Sequence, residues 1–397
     1  MQRTGLAPGD DQRRARVRRG RRTVLAILLA GLLPLLGLLL FSSSTQLAVR
    51  TTLLFPSFFA AFPQSPADLL RGTPQRSVIE LAPVDGYVRA HLDRLPGGRR
   101  PALIISLGIN PAPPDDPRVV RLLDGLARSG LVAVLVESEA LNGDNLFPNL
   151  PQALIETVQY IVSQPYVRAD RVGLFGFSVG GSLALDAAAD PAIRDRLRLV
   201  EAFGSFSDLR DALLSVATHT LDDNGVVKPW EPDPAAQRHL ANALINGLSD
   251  PGEQQALRSV FVDGTAAASS LDPGTLSREA RAVYELLTTS DREQGQALLP
   301  ALPSRVQADI AALSPLPRVP ELRAPVFIMY DREDPLLPFT GSRALCAAVQ
   351  AQHIPLYCSP FSLFKHVDPT RGGNPLVVAH DLVELFMHAF AVLQRLQ

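Results

Sequence analysis

The sequence predicts an α/β protein with a mostly parallel central sheet and helices on both faces. Three observations predict this class. Short apolar runs alternate with segments of helical periodicity from Ser77 onward. One of these runs ends in a serine flanked by glycines, directly before a helix. The alternation stops between Asp208 and Leu322 and then resumes. Parallel strands need helical crossovers, so this pattern favours one sheet interrupted by an insertion.

The first part of the core, residues 77–207, is predicted from its apolar runs and helical faces. One helix is indicated where Val119, Leu122 and Leu126 share a face and Gly130 ends it. The other predicted elements of this part are the strands SVIEL, GYVRAHLDRL, PALIISLG and LVAVLVES, the helix PQALIETVQYIVSQ, the strand RVGLFGFS, the helix VGGSLALDAAA and the strand LRLVEAFGSF.

Residues 208–322 are predicted to form a helical cap inserted into the core, because a structureless loop of this length does not fit a compact domain. The helical segments are DLRDALLSVATH, PAAQRHLANALINGL and REARAVYELLTT, and only SVFVDG is typical of a strand. Trp230, the only tryptophan, is expected to anchor the core or surface, with a place in a substrate pocket as the alternative.

The core resumes over residues 323–397. Its predicted elements are the strand APVFIMYD, the helix GSRALCAAVQAQ, the strand IPLYCSPF and a long closing helix that begins at PLVVAHD.

The stretch VGLFGFSVGGSLAL joins a buried strand to a helix through Ser178. Gly176 and Gly180 remove side chains where the strand and the helix come closest, and they permit a strained serine backbone. The serine hydroxyl would then project at the end of the strand, beside the free N–H groups of the helix. The spacing predicts a nucleophile on a sharp turn; a purely structural or phosphate-binding turn is the alternative.

A serine nucleophile needs a base, and the base needs an orienting acid. The acid is expected after a later strand, where FIMYDRED supplies Asp331 and Asp334. Asp334 is preferred because DPLLP turns the chain directly after it; Asp331 is the second candidate and Asp208 the third. Of seven histidines, His366 alone is predicted both to follow the last strand and to lie in a loop.

The segments GFSVGG, DREDPLLP and KHVDP resemble those of the α/β-hydrolase superfamily, over about residues 77–397. RVGLFGFSVGGSLAL is also similar to dienelactone-hydrolase-like proteins, but those use cysteine, so an esterase-like subgroup is implied. Many relatives have His-Gly after the third strand, whereas this chain has Leu107-Gly108-Ile109. The backbone N–H groups of Val179 and Ile109 are the expected oxyanion donors, since backbone donors need no particular side chain.

The resemblance implies a serine hydrolase that cleaves a small-molecule or lipid-like ester through Ser178, His366 and Asp334. An acyltransferase of the same chemistry and a catalytically inactive binding module are the alternatives. We expect no cofactor, and the cysteine and histidine spacing predicts no metal site. A net charge of -2 provides no general field for nucleic acid.

The N-terminal part predicts a membrane anchor. Arginines crowd residues 1–22, and the uncharged, leucine-rich segment 23–41 is long enough to span a bilayer. Since arginines stay cytoplasmic, the catalytic domain is expected on the other side, behind a membrane-proximal segment at 42–76. Cleavage after Ser44, which would release the protein, is the alternative. Cys346 and Cys358 would be exported with the domain, where a disulfide is possible, although separate buried thiols are favoured.

Overall fold

A computed structural model describes residues 42–59, 72–81, 88–109, 111–139, 150–369 and 373–397. The chain divides into two compact units, Met1–Arg50 and Thr51–Gln397. A helix, α1, spans Ser43–Leu54 and is followed by a 3-10 turn at Phe55–Phe58. The predicted cytoplasmic tail and the apolar span at 23–41 lie outside the described residues. All that follows concerns the second unit.

The core of this unit is an eight-stranded sheet in the order β1-β2-β4-β3-β5-β6-β9-β10. β1 pairs antiparallel with β2, and β2 pairs antiparallel with β4; the remaining neighbours run parallel. The mostly parallel sheet expected from the sequence is thereby confirmed. The strands span Gln75–Leu81 (β1), Val88–Arg94 (β2), Arg100–Ser106 (β3), Val132–Ser138 (β4), Val167–Phe177 (β5), Leu197–Phe203 (β6), Val326–Asp331 (β9) and Leu356–Phe361 (β10).

Helices cover both faces, because each central strand is apolar on both sides. One face carries Ile104, Leu174 and Val200, which belong to the same buried cluster as Leu154 and Leu183 of the covering helices. The opposite face carries the alternate residues of each strand. The helices joined to the strands are α2 (Pro117–Ser129), α3 (Leu150–Val162), α4 (Val179–Ala188), α11 (Phe339–Ala351) and α12 (Pro375–Leu396).

Between β6 and β9 the chain forms further helices, which fall within the predicted cap at 208–322. All but the last begin with a side chain that caps the helix: Asp208, Asp233, Asp250, Ser277 and Asp291 each accept a hydrogen bond from an N–H of the first turn. The helices span Leu209–Thr218 (α5), Pro234–Asn246 (α6), Pro251–Phe261 (α7), Arg278–Thr288 (α8), Arg292–Leu298 (α9) and Ser304–Ala312 (α10).

The sequence interpretation of this region was wrong in two places. SVFVDG is not a strand: its first residues end helix α7, where the apolar side chains belong to a helical face. A two-stranded hairpin, β7 (Thr220–Asp223) with β8 (Val226–Pro229), was missed. Its turn is Asn224-Gly225, both with positive φ, which is the preferred chemistry for a two-residue hairpin loop.

Cys346 of α11 and Cys358 of β10 form a disulfide, so the preference for separate thiols was wrong. The bridge joins a helix to the strand that follows it, 12 residues along the chain.

Among the described residues, one helix, Pro375–Leu396, is long and apolar enough to cross a membrane by length and composition. It packs on the sheet, with Leu385, Val392 and Leu396 buried, as core helices of this composition do.

Candidate active site

Ser178 occupies the turn between β5 and α4 with φ 55° and ψ -130°, a conformation rarely adopted by residues with a side chain. The neighbouring glycines are required by the close approach of strand and helix. A Cβ on Gly176 would lie 2.0 Å from the Gly180 carbonyl oxygen, and one on Gly180 would lie 2.5 Å from the Ser106 carbonyl oxygen. The strained turn is held by the Ser178 N–H, which donates to the Phe203 carbonyl at 2.7 Å.

The loop after β3 approaches this serine closely. A Cβ on Gly108 would lie 2.8 Å from Ser178 Cβ and 3.2 Å from its Oγ. Ile109 follows in the same loop, and both it and Val179 line the cavity in front of Ser178. Val179 is the first residue of α4, so its N–H has no acceptor within the helix. The structure therefore places both predicted oxyanion donors in segments that flank the serine.

His366 and Asp334 come together as the sequence order predicts. His366 Nδ1 lies 2.6 Å from Asp334 Oδ2, and both side chains are almost completely buried. The other carboxylate oxygen of Asp334 accepts from the N–H groups of Leu336 and Leu337 at 2.8 and 3.0 Å. The DPLLP turn thus fixes the carboxylate, which in turn fixes the imidazole.

The second imidazole nitrogen, His366 Nε2, is buried and has no hydrogen-bond partner among the described residues. His366 and Ser178 line the same cavity. His366 has a positive φ of 62°, and Gly204 gives it room: a Cβ on Gly204 would lie only 3.0 Å from His366 Cε1. A free base nitrogen and a strained serine thus face one space, and in unliganded enzymes the bond between them is often long.

The two alternative acids have other tasks. Asp331 is fully buried; its oxygens accept from the Glu333 N–H at 3.1 Å and from the His366 N–H at 3.3 Å. Asp331 therefore holds the backbone of His366 and not its imidazole. Asp208 caps helix α5 by accepting from the Arg210 N–H at 2.8 Å.

No protein-family model matches the chain. A curated relative, described as a probable 2-oxo-3-(5-oxofuran-2-ylidene)propanoate lactonase from Bradyrhizobium, is 33% identical over 112 residues, covering 24% of this chain and 44% of the relative. Among solved structures, a thermostable esterase from Pseudomonas putida has a TM-score of 0.47 at 14% identity, covering 88% of this chain and 89% of the esterase.

An acylaminoacyl peptidase from Pyrococcus horikoshii has a TM-score of 0.44 at 12% identity, covering 76% of this chain and 40% of the peptidase. The chain thus spans less than half the length of the lactonase and of the peptidase.

The order of the strands and the positions of these three residues along them identify the fold. Ser178 follows β5 on a glycine turn, Asp334 follows β9 and His366 follows β10. These are the places where α/β-hydrolases carry nucleophile, acid and base. The chain has the α/β-hydrolase fold. The resemblance inferred from the sequence is thereby confirmed.

The cap is tied to the loops that carry Asp334 and His366. Trp230 Nε1 donates to the Asp334 carbonyl at 3.0 Å, so Trp230 anchors the acid loop. The Asp233 N–H donates to the Pro335 carbonyl at 2.7 Å, and the Asp233 carboxylate pairs with Lys365, next to the base. The pKa of Asp233 is lowered, mainly by the hydrogen bond from the Ala235 N–H and also by the hydrogen bond and the charge of Lys365. Sequence reasoning missed these links because they join segments far apart in the chain.

A cavity of about 500 Å³ opens at Ser178 and extends in two directions. Its upper arm lies under the cap helices α5 and α6, where Leu213, Val216 and Leu240 line it. Its lower arm runs along the sheet face that α2 and α12 cover, past Phe175 and Leu126. The volume is in the range of small-molecule sites, and the lining is mainly apolar.

A second buried polar group lies on the lower arm. His388 Nε2 lies 3.2 Å from Glu201 Oε1, at ion-pair distance but without hydrogen-bond geometry, and both side chains are almost fully buried. His388 Nδ1 lies 2.9 Å from Ser359 Oγ, which donates to Glu384 Oε1 at 2.8 Å. No sequence pattern indicated this group, because its members come from two strands and one helix. The part of the chain that the structure describes holds no cluster of metal-ligating side chains.

Proposed function

We propose that this chain is a serine hydrolase that cleaves a carboxylic ester through Ser178, His366 and Asp334. The observation that carries the proposal is the His366 imidazole, which is held at Nδ1 by Asp334 and free at Nε2 in the cavity of Ser178. The curated relative supports it over the matched segment, since a lactone is a cyclic ester and a lactonase opens it by acyl transfer to water.

In the proposed mechanism Ser178 Oγ attacks the ester carbonyl carbon and gives its proton to His366 Nε2. Asp334 keeps the other imidazole proton on Nδ1 and stabilises the imidazolium. The N–H groups of Val179 and Ile109 would hold the oxyanion. The C–O bond to the alcohol then breaks, and the alcohol leaves with the proton from Nε2.

Water completes the reaction. It gives a proton to His366 Nε2 while its oxygen attacks the acyl carbon. The bond from the acyl carbon to Ser178 Oγ then breaks, Oγ takes the proton back from Nε2, and the carboxylic acid is released. No step requires a cofactor. Another alcohol in place of water would make the same site an acyltransferase.

A fluorophosphonate probe tests the nucleophile. We expect the probe to label the wild type and Ser178→Ala to abolish labelling while melting temperature stays close to that of the wild type. Ser205→Ala is the matched control, since its hydroxyl donates to the Ser178 carbonyl and is not the nucleophile. Labelling that persists in Ser178→Ala would contradict the assignment. An unlabelled but folded wild type would favour an inactive binding module.

We also propose that the apolar segment 23–41 anchors the hydrolase with its catalytic domain outside the cytoplasm. The arginine-rich segment before it supports this orientation. Protease added to spheroplasts should then digest the domain. A domain protected until the membrane is broken would overturn the orientation, and a mature chain that begins near Thr45 would indicate cleavage instead.

A further inference from the structure

The lower arm of the cavity extends away from the carboxyl edge of the sheet, where Ser178, Asp334 and His366 lie. It passes beneath the sheet, between α2 and α12, and the segment that contains Leu54 and Phe58 also lines it. This segment is fixed there by aromatic packing: the rings of Phe55 and Phe386 of α12 are 5.9 Å apart. The arm is therefore a built channel that begins at the nucleophile.

Two independent lengths give its depth. Leu103, which lines the arm, pairs in the sheet with Gly173, five residues before Ser178. At about 3.3 Å per strand residue the arm reaches roughly 16 Å from the nucleophile. On the opposite wall, α12 lines the arm from Leu385 to Leu393, which is about 12 Å at 1.5 Å per helical residue. Both estimates describe a long arm.

The chemistry of its walls is mostly apolar. Strands β3 and β5 and the two helices contribute aliphatic and aromatic side chains: Leu103, Leu126, Phe175, Leu385, Ala389 and Leu393. The polar pair of Glu201 and His388 lies on the β6 side, where each member is the charge partner of the other. A ligand that follows the apolar walls needs no hydrogen-bonding group along its length.

We propose that the lower arm binds the acyl chain of a long-chain fatty acyl ester. This inference rests on the proposed hydrolase function and names its substrate class. The acyl group stays bonded to Ser178 Oγ until water releases it as the free acid, whereas the alcohol must leave after the first step. A channel buried beneath the sheet suits the group that is retained, and the arm under the cap suits the group that departs.

Two series of esters test this assignment. In the first, p-nitrophenyl esters run from butyrate to palmitate, below their micelle concentrations. We expect kcat/KM to rise about fourfold per added methylene over the length that the arm accommodates. In the second, the acyl group is acetate and the alkyl alcohol lengthens; we expect a much shallower rise. A flat acyl series, or a steeper alkyl series, would overturn the proposal.

Blocking variants locate the effect. Ala389 lies on α12 and lines the arm, so Ala389→Phe should lower the laurate-to-butyrate ratio of kcat/KM at least tenfold. Ala391→Phe is the matched control, because Ala391 is half-buried on the same helix and lies outside the lining of the arm. Leu122→Trp on α2 narrows the arm from the other wall, which keeps the test decisive if Ala389→Phe does not fold.

An unchanged ratio in both folded blocking variants would overturn the channel. Failure of the underlying function gives a different result: no ester of any length is hydrolysed, and the fluorophosphonate does not label Ser178. The two failures are therefore distinguishable in the same set of proteins.

Discussion

Two regions of this molecule hold a buried histidine on the wall of one cavity, and they differ in what surrounds the second nitrogen. At the edge of the sheet, His366 is bound by Asp334 at Nδ1, and among the described residues its Nε2 has no partner. Beneath the sheet, His388 has Ser359 beside Nδ1 and the Glu201 carboxylate 3.2 Å from Nε2. The residue types are similar, and the carboxylate at the second nitrogen is what differs.

The difference shows what makes a histidine a candidate base. Ser359 has a single O–H proton, which it donates to Glu384, so it accepts from His388 Nδ1. The Glu201 carboxylate faces His388 Nε2. It therefore occupies the position from which a general base would accept a proton. His366 instead lies in a loop after the last strand with a positive φ, and it lines the cavity of Ser178.

The largest expected effect separates Asp334 from Asp331. Asp334→Asn should lower the turnover of a short-chain ester by about 10⁴-fold, because the amide no longer stabilises the correct tautomer or the imidazolium. Asp331→Asn keeps the contact between Asp334 and His366 Nδ1 intact and disturbs the bonds that the N–H groups of Glu333 and His366 donate to Asp331. We expect it to reduce stability by about 1–3 kcal/mol with a far smaller loss of turnover.

Steady-state kinetics and urea unfolding of the two variants check this prediction. The reverse result, with Asp331→Asn inactive and Asp334→Asn mild, would move the acid to Asp331. Two mild results would point to Asp208 or to a mechanism without this triad.

The next prediction sharpens the comparison between the two histidines. His366→Gln should remove turnover and cost less stability, because the N–H groups of Leu336 and Leu337 still donate to the buried Asp334 carboxylate. His388→Gln should leave the buried Glu201 carboxylate without its imidazole partner, which lowers the free energy of unfolding by about 3–5 kcal/mol. Replacing both members, as in Glu201→Leu with His388→Leu, should recover much of that loss, because well-packed apolar pairs match buried ion pairs in stability.

Urea unfolding and turnover of these variants, measured on the same preparations, test the prediction. If His388→Gln were inactive but as stable as the wild type, His388 would belong to the reaction and the distinction drawn from its two nitrogens would fail.

The same contrast explains which parts of the fold and the site could be predicted from the sequence. Apolar runs indicated the strands, and the glycine spacing around Ser178 indicated the turn, because both are local patterns. His366 was identifiable from its place after the last strand. His388 lies within the predicted closing helix, and nothing local in the sequence reveals that Glu201 would face it. The hairpin at Asn224-Gly225 carried its turn signal, but its strands have only four residues each and do not stand out as apolar runs.

The smallest effect concerns a third buried carboxylate, one without a histidine. Asp309 lies on α10, almost fully buried, and its Oδ1 has no hydrogen-bond partner in the described part of the chain. Burial raises the pKa of Asp309 from 3.8 to about 6. The folded state therefore binds the proton more tightly than the unfolded state, and stability falls as pH rises from about 4 to about 6.

Asp309→Asn should remove this loss. We expect the variant to be more stable than the wild type by about 1–3 kcal/mol at pH 8 and nearly equal to it at pH 4, in urea unfolding across that range. Asp186→Asn is the matched control: burial also raises the pKa of Asp186 to about 6, but Arg318 pairs with it at 3.2 Å. Asp186→Asn also removes the carboxylate that pairs with Arg318, and this loss offsets the gain in stability. The control should therefore be stabilised less than Asp309→Asn. If the stability of Asp309→Asn fell with pH as steeply as that of the wild type, Asp309 would not be the source of the pH dependence.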